Sequence, residues 1–391
     1  MRISVNPESA VPLHVQLLNQ MRHLILSGEW TPGRRLPSEA ELQRDLQISR
    51  GTIRKALKNA EVEGLIERVP SKGTFVAHPQ LRDTPSRIIG YITSDFLSDF
   101  QRQVLRGAEE AARAKGYRLL FSSSSQDVNT ENQLLQQMLQ DRVSGIMIWP
   151  VFEEALPRLL LELGERSEPP LVLMDRTLRG LACDSVASNN YAGAFAATEH
   201  LIQLGHERIV FMTRPLLQLS TIADRLRGYE DALRDAGKTP PEPWIIGGED
   251  QRQGEHYTLS LYNGGITGLE TNEIAERLRQ PQRPTAILAM NDLTALLVLK
   301  AATQADLSVP QDLSLVGFDD LYFLTFLPVP LTTVAQDTHG LGRRAAGLLI
   351  ERIEGYTGPP RSELLPTRLV VRASTAKPSD LSSGEFSPSS Q

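Results

Sequence analysis

The chain has 391 residues, of which 40% are hydrophobic and 23% charged, and its net charge is −6 at neutral pH. These fractions are ordinary for a globular protein, and the length requires more than one domain. A single cysteine, Cys183, excludes an intramolecular disulfide, and the sequence shows neither a signal segment nor an apolar run of membrane length. We therefore expect a cytoplasmic protein that does not enter the membrane.

The charge is distributed unevenly along the chain. Residues 1–80 contain 11 basic and 8 acidic residues, which leaves 30 basic and 39 acidic residues for the rest. A mildly basic beginning joined to an acidic remainder suits a DNA-binding protein whose larger part stays away from phosphates.

The first three predicted helices lie between residues 12 and 60. Apolar residues at helical spacing predict a helix over Pro12–Leu26. Ser38 and Glu41 have the spacing of a capping box, which predicts the start of a second helix. Ser49 is the predicted N-cap of a third helix, and the tight turn at Gln47 separates these two. The pattern indicates a helix-turn-helix.

The third helix begins with side chains suited to base recognition, Arg50, Thr52 and Arg54. Arginine can bind O6 and N7 of guanine in a bidentate manner, and threonine can contact a base edge or a thymine methyl group. A recognition helix enters the major groove with its N-terminal residues. We therefore predict that these residues contact DNA.

A wing is predicted directly after the helix-turn-helix. Residues 65–69 and 74–77 are short strand-like runs, and Pro70–Gly73 forms the turn between them. Lys72 lies at the predicted tip, and Gly73 would allow the backbone to approach a phosphate or the minor groove.

Residues 8–78 resemble the winged helix-turn-helix of the GntR family. The segments LPSEAEL, SRGTIR and KGTFV occur in the family's order. At Ala40 many members carry an arginine that contacts DNA, so Arg35 and Arg44 are considered as its substitutes. The resemblance implies a sequence-specific partner, double-stranded operator DNA. The predicted DNA-binding residues are Arg35, Ser38, Ser49, Arg50, Thr52, Arg54, Lys72 and Gly73.

The composition places three further boundaries. Residues 79–86 contain two prolines and no apolar periodicity, which predicts a linker after the domain 1–78. Residues 377–391 are rich in Ser and Pro, which predicts a disordered tail. The second domain is expected over 87–376.

Within this second domain, short apolar strands alternate with amphipathic helices, which predicts an α/β fold with doubly wound parallel sheets. The alternation runs to residue 174 and restarts near residue 191, so we expect two lobes with a cleft. The predicted strands are 87–93, 117–121, 143–149, 171–174, 208–212, 244–246, 285–290 and 313–318. The predicted helices are 100–115, 131–141, 153–165, 191–204, 222–236, 272–279 and 292–304.

Polar residues follow several of these strands, and ligands of such sheets bind beyond the carboxyl ends of the strands. Carboxylates and arginines can bind adjacent hydroxyl groups of a sugar, while a ring can cover its apolar face. Core packing is the alternative for the rings, and an internal ion pair with Asp175 is the alternative for Arg176. The predicted effector-binding residues are Asp95, Phe100, Trp149, Arg176, Arg225, Asn291, Asp292 and Asp319.

Residues 87–375 resemble the effector domain of the LacI family, which is similar to periplasmic binding proteins. The segments SNNYAGAFAATEHL, RLRGYEDAL, AMNDLTALL and VGFDD carry the resemblance. It implies that Arg225 and Asp292 bind the effector, with Asp95, Phe100 and Asp319 around it. The sequence departs from the family in its long glycine-rich segment, 247–271, in Ser188-Asn189-Asn190, and in lacking the family's own helix-turn-helix and hinge helix.

The fused architecture resembles bacterial arabinose-responsive repressors, which implies a homodimer controlled by a sugar such as arabinose. A purine or a sugar phosphate is the alternative effector. An enzyme-derived domain is the less favoured alternative, because Lys300 lacks the context of a Schiff-base lysine. No catalytic residue, metal site or cofactor is predicted, and His200 and His206 are interpreted as helix-end or surface histidines.

Overall fold

The computed structural model describes residues 3–6, 9, 11–26, 28–69, 72–77, 86–96, 98–151, 158–166, 169–178, 180–247 and 268–378. The chain divides into two compact units, Met1–Pro85 and Ser86–Gln391. The predicted linker lies outside the described residues except for Ser86. Of the predicted tail, only Lys377 and Pro378 are described.

The first unit is a three-helix domain with a two-stranded antiparallel sheet. Ser38 accepts a hydrogen bond from the backbone N–H of Glu41, whose carboxylate accepts one from Ser38, so the predicted capping box is present. Gln47 ends the second helix with a φ of 54°. The elements are α1 (Leu13–Leu26), α2 (Glu39–Leu46), α3 (Arg50–Val62), β1 (Ile66–Val69) and β2 (Gly73–Val76).

The first lobe of the second unit contains a six-stranded parallel sheet. Its strands are β3 (Ile88–Thr93), β4 (Arg118–Ser123), β5 (Gly145–Trp149), β6 (Leu171–Met174), β7 (Asp184–Ser188) and β13 (Ser362–Leu365). Their order is β13-β7-β6-β5-β3-β4. The helices of this lobe are α4 (Asp99–Ala114), α5 (Val128–Gln140), α6 (Arg158–Arg166) and α11 (Thr338–Ile353).

The second lobe repeats this arrangement. Its strands are β8 (Ile209–Thr213), β9 (Trp244–Ile245), β10 (Ala286–Ala289), β11 (Ser314–Asp319), β12 (Thr332–Gln336) and β14 (Thr367–Val370). Their order is β14-β12-β11-β10-β8-β9, with β14 antiparallel to β12. The helices are α7 (Asn190–Gln203), α8 (Ser220–Asp235), α9 (Gly268–Leu278) and α10 (Asp292–Gln304). The predicted α/β class is confirmed.

Several elements were not predicted from the sequence. Strands β7, β12, β13 and β14 were not predicted, because they are short and lack a continuous apolar run, and helix α11 was not predicted either. Strands β13 and β14 consist of half-buried and exposed residues. They carry the chain between the two sheets, since β13 pairs with β7 and β14 pairs with β12.

His206 lies just after the end of α7, as one of the two predicted alternatives has it, but the surface alternative is wrong because its side chain is only 1% exposed. One ring nitrogen is 3.0 Å from Oγ1 of Thr285, and the other is 2.9 Å from Oγ of Ser314 and from the carbonyl oxygen of Ala376. Burial lowers the pKa of His206. Its role is therefore to hold the end of the described chain against the second lobe.

The described residues include no group of three or more His, Cys, Asp or Glu side chains placed to hold a metal ion. None of their helices combines the length and the hydropathy needed to cross a membrane.

Candidate DNA-reading surface and effector cleft

The start of α3 presents two of the predicted DNA-binding arginines to solvent. The side chains of Arg50 and Arg54 are 62% and 64% exposed. Ser49 caps the helix by accepting a hydrogen bond of 3.1 Å from the backbone N–H of Thr52, and the two hydroxyl oxygens are 2.8 Å apart. The opposite side of α3 is anchored in the core by Ile53. This arrangement leaves the arginines available to a ligand.

A carboxylate between the arginines was missed in the sequence. Glu39 lies 2.9 Å from Nε of Arg54, 3.8 Å from Nε of Arg50 and 4.0 Å from Nη1 of Arg68. Such exposed ion pairs contribute little to stability, but they restrict the guanidinium groups. Only the packing of α2 against α3 and β1 brings these residues together, so their spacing in the sequence gave no signal.

A second group of predicted residues forms at the wing. Gly73 has a φ of 121°, and a Cβ atom there would lie 3.1 Å from Nε of Arg35. Arg35 pairs with Phe75 in an isolated β-bridge, which places it beside the wing. Lys72 is exposed. Ser38 differs from these residues, because its hydroxyl group is engaged with Glu41 at the start of α2.

In the second lobe, Arg225 occupies the centre of a buried polar cluster and is 5% exposed. Its Nε donates a hydrogen bond of 2.8 Å to Oδ1 of Asn190, and its Nη1 donates to the carbonyl oxygen of Met290. The guanidinium carbon lies 3.7 Å from the centroid of the Phe318 ring, and Nη2 is 3.8 Å from Oδ1 of Asp319. Burial lowers the pKa of Arg225, and the nearby carboxylates act in the opposite direction by raising it.

Asp292 begins α10 and is fully buried. Its Oδ1 accepts a hydrogen bond of 2.6 Å from the Thr333 hydroxyl, and its Oδ2 accepts one of 2.9 Å from the backbone N–H of Leu321. The preceding Asn291 caps α10 with its side-chain oxygen. Gly317 leaves room for the carboxylate, because a Cβ atom there would overlap Oδ1 of Asp292.

Asp319 ends β11 with a φ of 121°, which turns the backbone at the cleft. Nε2 of Gln336 donates a hydrogen bond of 2.7 Å to its Oδ1. Burial raises the pKa of Asp319 to about 7, and burial together with the Asp319 charge raises the pKa of Asp292. Close to neutral pH this pair can therefore both donate and accept hydrogen bonds.

The first lobe contributes charged groups at the ends of β3 and β6. Oδ2 of Asp95 accepts a hydrogen bond of 2.6 Å from Nε2 of Gln126. Arg176 donates a bond of 2.8 Å to the carbonyl oxygen of Pro150, whereas its Nε finds no hydrogen-bond partner among the described residues. Burial lowers the pKa of Arg176, against the effect of the Asp175 charge.

The two predicted rings of the first lobe pack against each other. Phe100 and Trp149 are 8% and 4% exposed, and their centroids are 5.3 Å apart in an edge-on arrangement. Much of their surface therefore serves the core. Nε1 of Trp149 is a buried donor that has no acceptor within the part of the chain that the structure describes.

Sequence reasoning missed several side chains that position this cluster. The most important is Asn190, which follows β7 and holds Arg225. The Asn189-Asn190 pair was noted only as a departure from the LacI pattern, although its place at the crossing between the lobes was a usable signal. The other missed residues are Gln126, Glu131, Thr333 and Gln336.

Comparisons with known proteins cover both units. Residues 13–76 match the gntR family of bacterial regulatory proteins, and residues 198–375 match a periplasmic binding protein-like domain. The arabinose metabolism transcriptional repressor of Geobacillus stearothermophilus is 34% identical over 379 residues, which cover 94% of this chain and 99% of that protein.

Two further relatives match over a smaller part of the chain. The ribose operon repressor of Escherichia coli K12 is 29% identical over 294 residues, which cover 75% of this chain and 83% of that protein. A solved structure from Burkholderia thailandensis, assigned as a ribose operon repressor, has a TM-score of 0.60 and 31% identity. It covers 73% of this chain and 99% of that one.

Proposed function

Because this chain belongs to the bacterial transcriptional repressors that join a GntR-type DNA-binding domain to a periplasmic-binding-protein-like domain, we propose that it is a sugar-responsive repressor. Its winged helix binds operator DNA, and a free sugar in the cleft releases it. Arabinose is the first candidate, since the relative matched over nearly its whole length is named for arabinose metabolism.

The observation that carries this proposal is the cluster around Arg225. A buried guanidinium group stacks on Phe318 and lies near Asp319 and Asp292 at the carboxyl ends of β10 and β11. Charged groups in fixed positions suit a polyol, whose hydroxyl groups donate and accept hydrogen bonds, and the fully buried Phe318 ring supports Arg225 from the core side.

The charge of the cleft favours a neutral sugar over a phosphorylated one. Arg176 and Arg225 face a larger set of carboxyl groups at the strand ends. These are Asp95, Asp175, Asp292 and Asp319. A phosphate would bring further negative charge next to these buried carboxyl groups, two of which, Asp292 and Asp319, already have raised pKa values because of burial and of neighbouring carboxylates.

Release would follow from closure of the two lobes around the sugar. The backbone N–H of Thr177 already donates a 3.0 Å hydrogen bond to Oγ of Ser220 across the lobes. The sugar can shift the DNA-competent population only by binding one lobe arrangement better than the other. We propose that two copies act together on a palindromic operator, in the cytoplasm, without catalytic activity or a cofactor.

A thermal-shift screen of the purified chain against pentoses, hexoses, sugar phosphates, nucleosides and purines tests this function. A ligand that binds the native state raises the melting temperature according to its concentration and affinity. We expect a shift with arabinose or another free pentose. A shift confined to purines or sugar phosphates would replace the effector, and no shift at all would overturn the cleft assignment.

A further inference from the structure

One end of the first lobe carries a group of basic side chains that the proposed function leaves unused. Parallel strands place their carboxyl ends at the cleft, so their beginnings share the opposite edge of the sheet. Arg87 precedes β3, Arg118 begins β4, Lys115 follows α4, and Arg142 precedes β5. We call these four residues the basic edge.

Backbone contacts bring the basic edge together. The N–H of Arg118 donates a 2.8 Å hydrogen bond to the carbonyl oxygen of Arg87, and Nη1 of Arg87 donates one of 3.2 Å to that of Lys115. The N–H of Ser144 donates a 2.8 Å bond to the carbonyl oxygen of Ile88, which draws the turn at 142–144 to the same edge.

The charges of the basic edge are not neutralised locally. All four side chains are exposed, and Lys115, Arg118 and Arg142 make no ion pair with any described residue. The sequence segments that form this edge, 86–88, 113–118 and 139–145, contain a single acidic residue, Asp141. This local surplus contrasts with the chain after residue 80 as a whole, where 39 acidic residues exceed 30 basic ones.

The basic edge also adjoins the attachment point of the DNA-binding domain. Strand β3 is the first element after the linker, and only residues 78–85 separate Ala77 from Ser86. Eight residues extend at most about 29 Å, which limits the distance between Ala77 and Ser86.

We propose that the basic edge is a second DNA contact, which binds backbone phosphates flanking the operator without reading sequence. This rests on the proposed DNA-binding function. Positive charge at the C-termini of α4 and α5 also complements the helix dipoles, and that effect accounts for Lys115, for Arg142 and for Arg87, whose Nη1 donates to the carbonyl oxygen of the C-cap residue Lys115. It does not account for Arg118, which belongs to the beginning of β4. Phosphate contacts would add affinity and salt dependence.

The test compares two duplexes with the full-length protein. An operator is selected from a random-sequence pool, and a second version is extended by about one helical turn on each side. The test variant combines Lys115→Gln, Arg118→Gln and Arg142→Gln. The control variant combines Lys300→Gln, Arg343→Gln and Arg368→Gln, which removes the same charge from exposed sites elsewhere on the second unit.

On the extended duplex, the slope of log K against log salt concentration should be less steep for the test variant, its magnitude falling by about 0.9 for each lost phosphate contact and so by up to about 2.7. On the short duplex, the test variant should have the same slope as the wild type, and the control variant should have the wild-type slope on both duplexes. Base preference should be unchanged in both variants. If the melting curve of the triple variant shows that it is poorly folded, Arg118→Gln alone is measured in its place, and a decrease of about 0.9 in the magnitude of its slope is expected. If the test variant has the wild-type slope on the extended duplex, or if the control variant loses as much slope as the test variant, the basic-edge inference is wrong and the proposed function is unaffected. Failure of the wild type to select any sequence overturns the proposed function as well.

Discussion

Arg225 connects the cleft residues through its two hydrogen bonds, its ring contact and its proximity to Asp319. It comes from α8, whereas the groups around it come from strand ends and from the crossing at Asn190. A side chain in this position can donate a hydrogen bond to a ligand hydroxyl group while its other hydrogen bonds connect elements of the lobe.

Arg225→Ala should therefore abolish the response at sugar concentrations that just induce the wild type, and it should spare DNA binding. Loss of hydrogen bonds from a charged donor should weaken sugar binding by about 1.5–3 kcal/mol. Titration calorimetry with arabinose and a gel shift measure the two effects. Arg227→Ala is the matched control, because Arg227 lies on the same helix but is 62% exposed. Induction that survives in Arg225→Ala would contradict the cleft assignment.

Asp319 should make the stability of the unliganded protein depend on pH. Its pKa rises on folding to about 7, so between its ordinary value of about 3.9 and 7 the folded state binds more protons than the unfolded state. Stability should then decrease as pH rises through this window. Asp319→Asn should remove this component, so the melting temperature of the variant relative to wild type should rise from pH 5 to pH 7.5. A constant difference would contradict the raised pKa.

Arg50→Ala tests base recognition by α3. We expect a loss of about 1–3 kcal/mol in operator binding and relaxed preference at one base position. Binding to a set of single-base operator variants measures both quantities. Arg106→Ala serves as the control, since Arg106 is also exposed, at 68%, but lies on α4 of the second unit. Uniform weakening across all operator variants would assign Arg50 to a phosphate instead.

At the scale of elements, α4 and α11 approach each other so closely that glycine is required at the contact. A Cβ atom at Gly107 would overlap the carbonyl oxygen of His339, and one at Gly342 would overlap that of Val104. Helix α11 thereby closes over the sheet of the first lobe, although it enters from the second lobe through β12.

Gly342→Ala should consequently destabilise the first lobe by about 1–3 kcal/mol through overpacking. Gly347→Ala on the same helix should be neutral or stabilising, because its Cβ atom would meet only Nη1 of Arg344 at 3.5 Å and alanine favours a helix. Urea unfolding of both variants gives the comparison. Equal stability of the two variants would show that the helix contact can relax.

At the scale of the whole molecule, the two ligands must influence each other equally. If the sugar lowers operator affinity by a given factor, the operator lowers sugar affinity by the same factor, usually within about 5–150-fold. Titration of arabinose into the protein, with and without a saturating operator duplex, measures this coupling. Identical sugar affinities in both titrations would rule out release by the sugar.

The sequence predicted elements best where one local signal was sufficient. The capping box at Ser38, the cap at Ser49 and the helix that begins at Asp292 need only neighbouring residues, and they appear in the structure where expected. Strands β13 and β14 were missed because edge strands of mixed exposure lack the apolar run that marks a buried strand.

The sequence by itself determined the two kinds of domain, the recognition helix and the candidate cleft residues, because caps, apolar periodicity and motifs are local properties of the chain. The tertiary structure alone decided which side chains meet. Glu39 reaches Arg54 only through the packing of α2 on α3, and Asn190 reaches Arg225 only where the chain crosses between lobes. Burial at that crossing also sets the pKa of Asp319, because desolvation depends on neighbours that lie far away in the sequence.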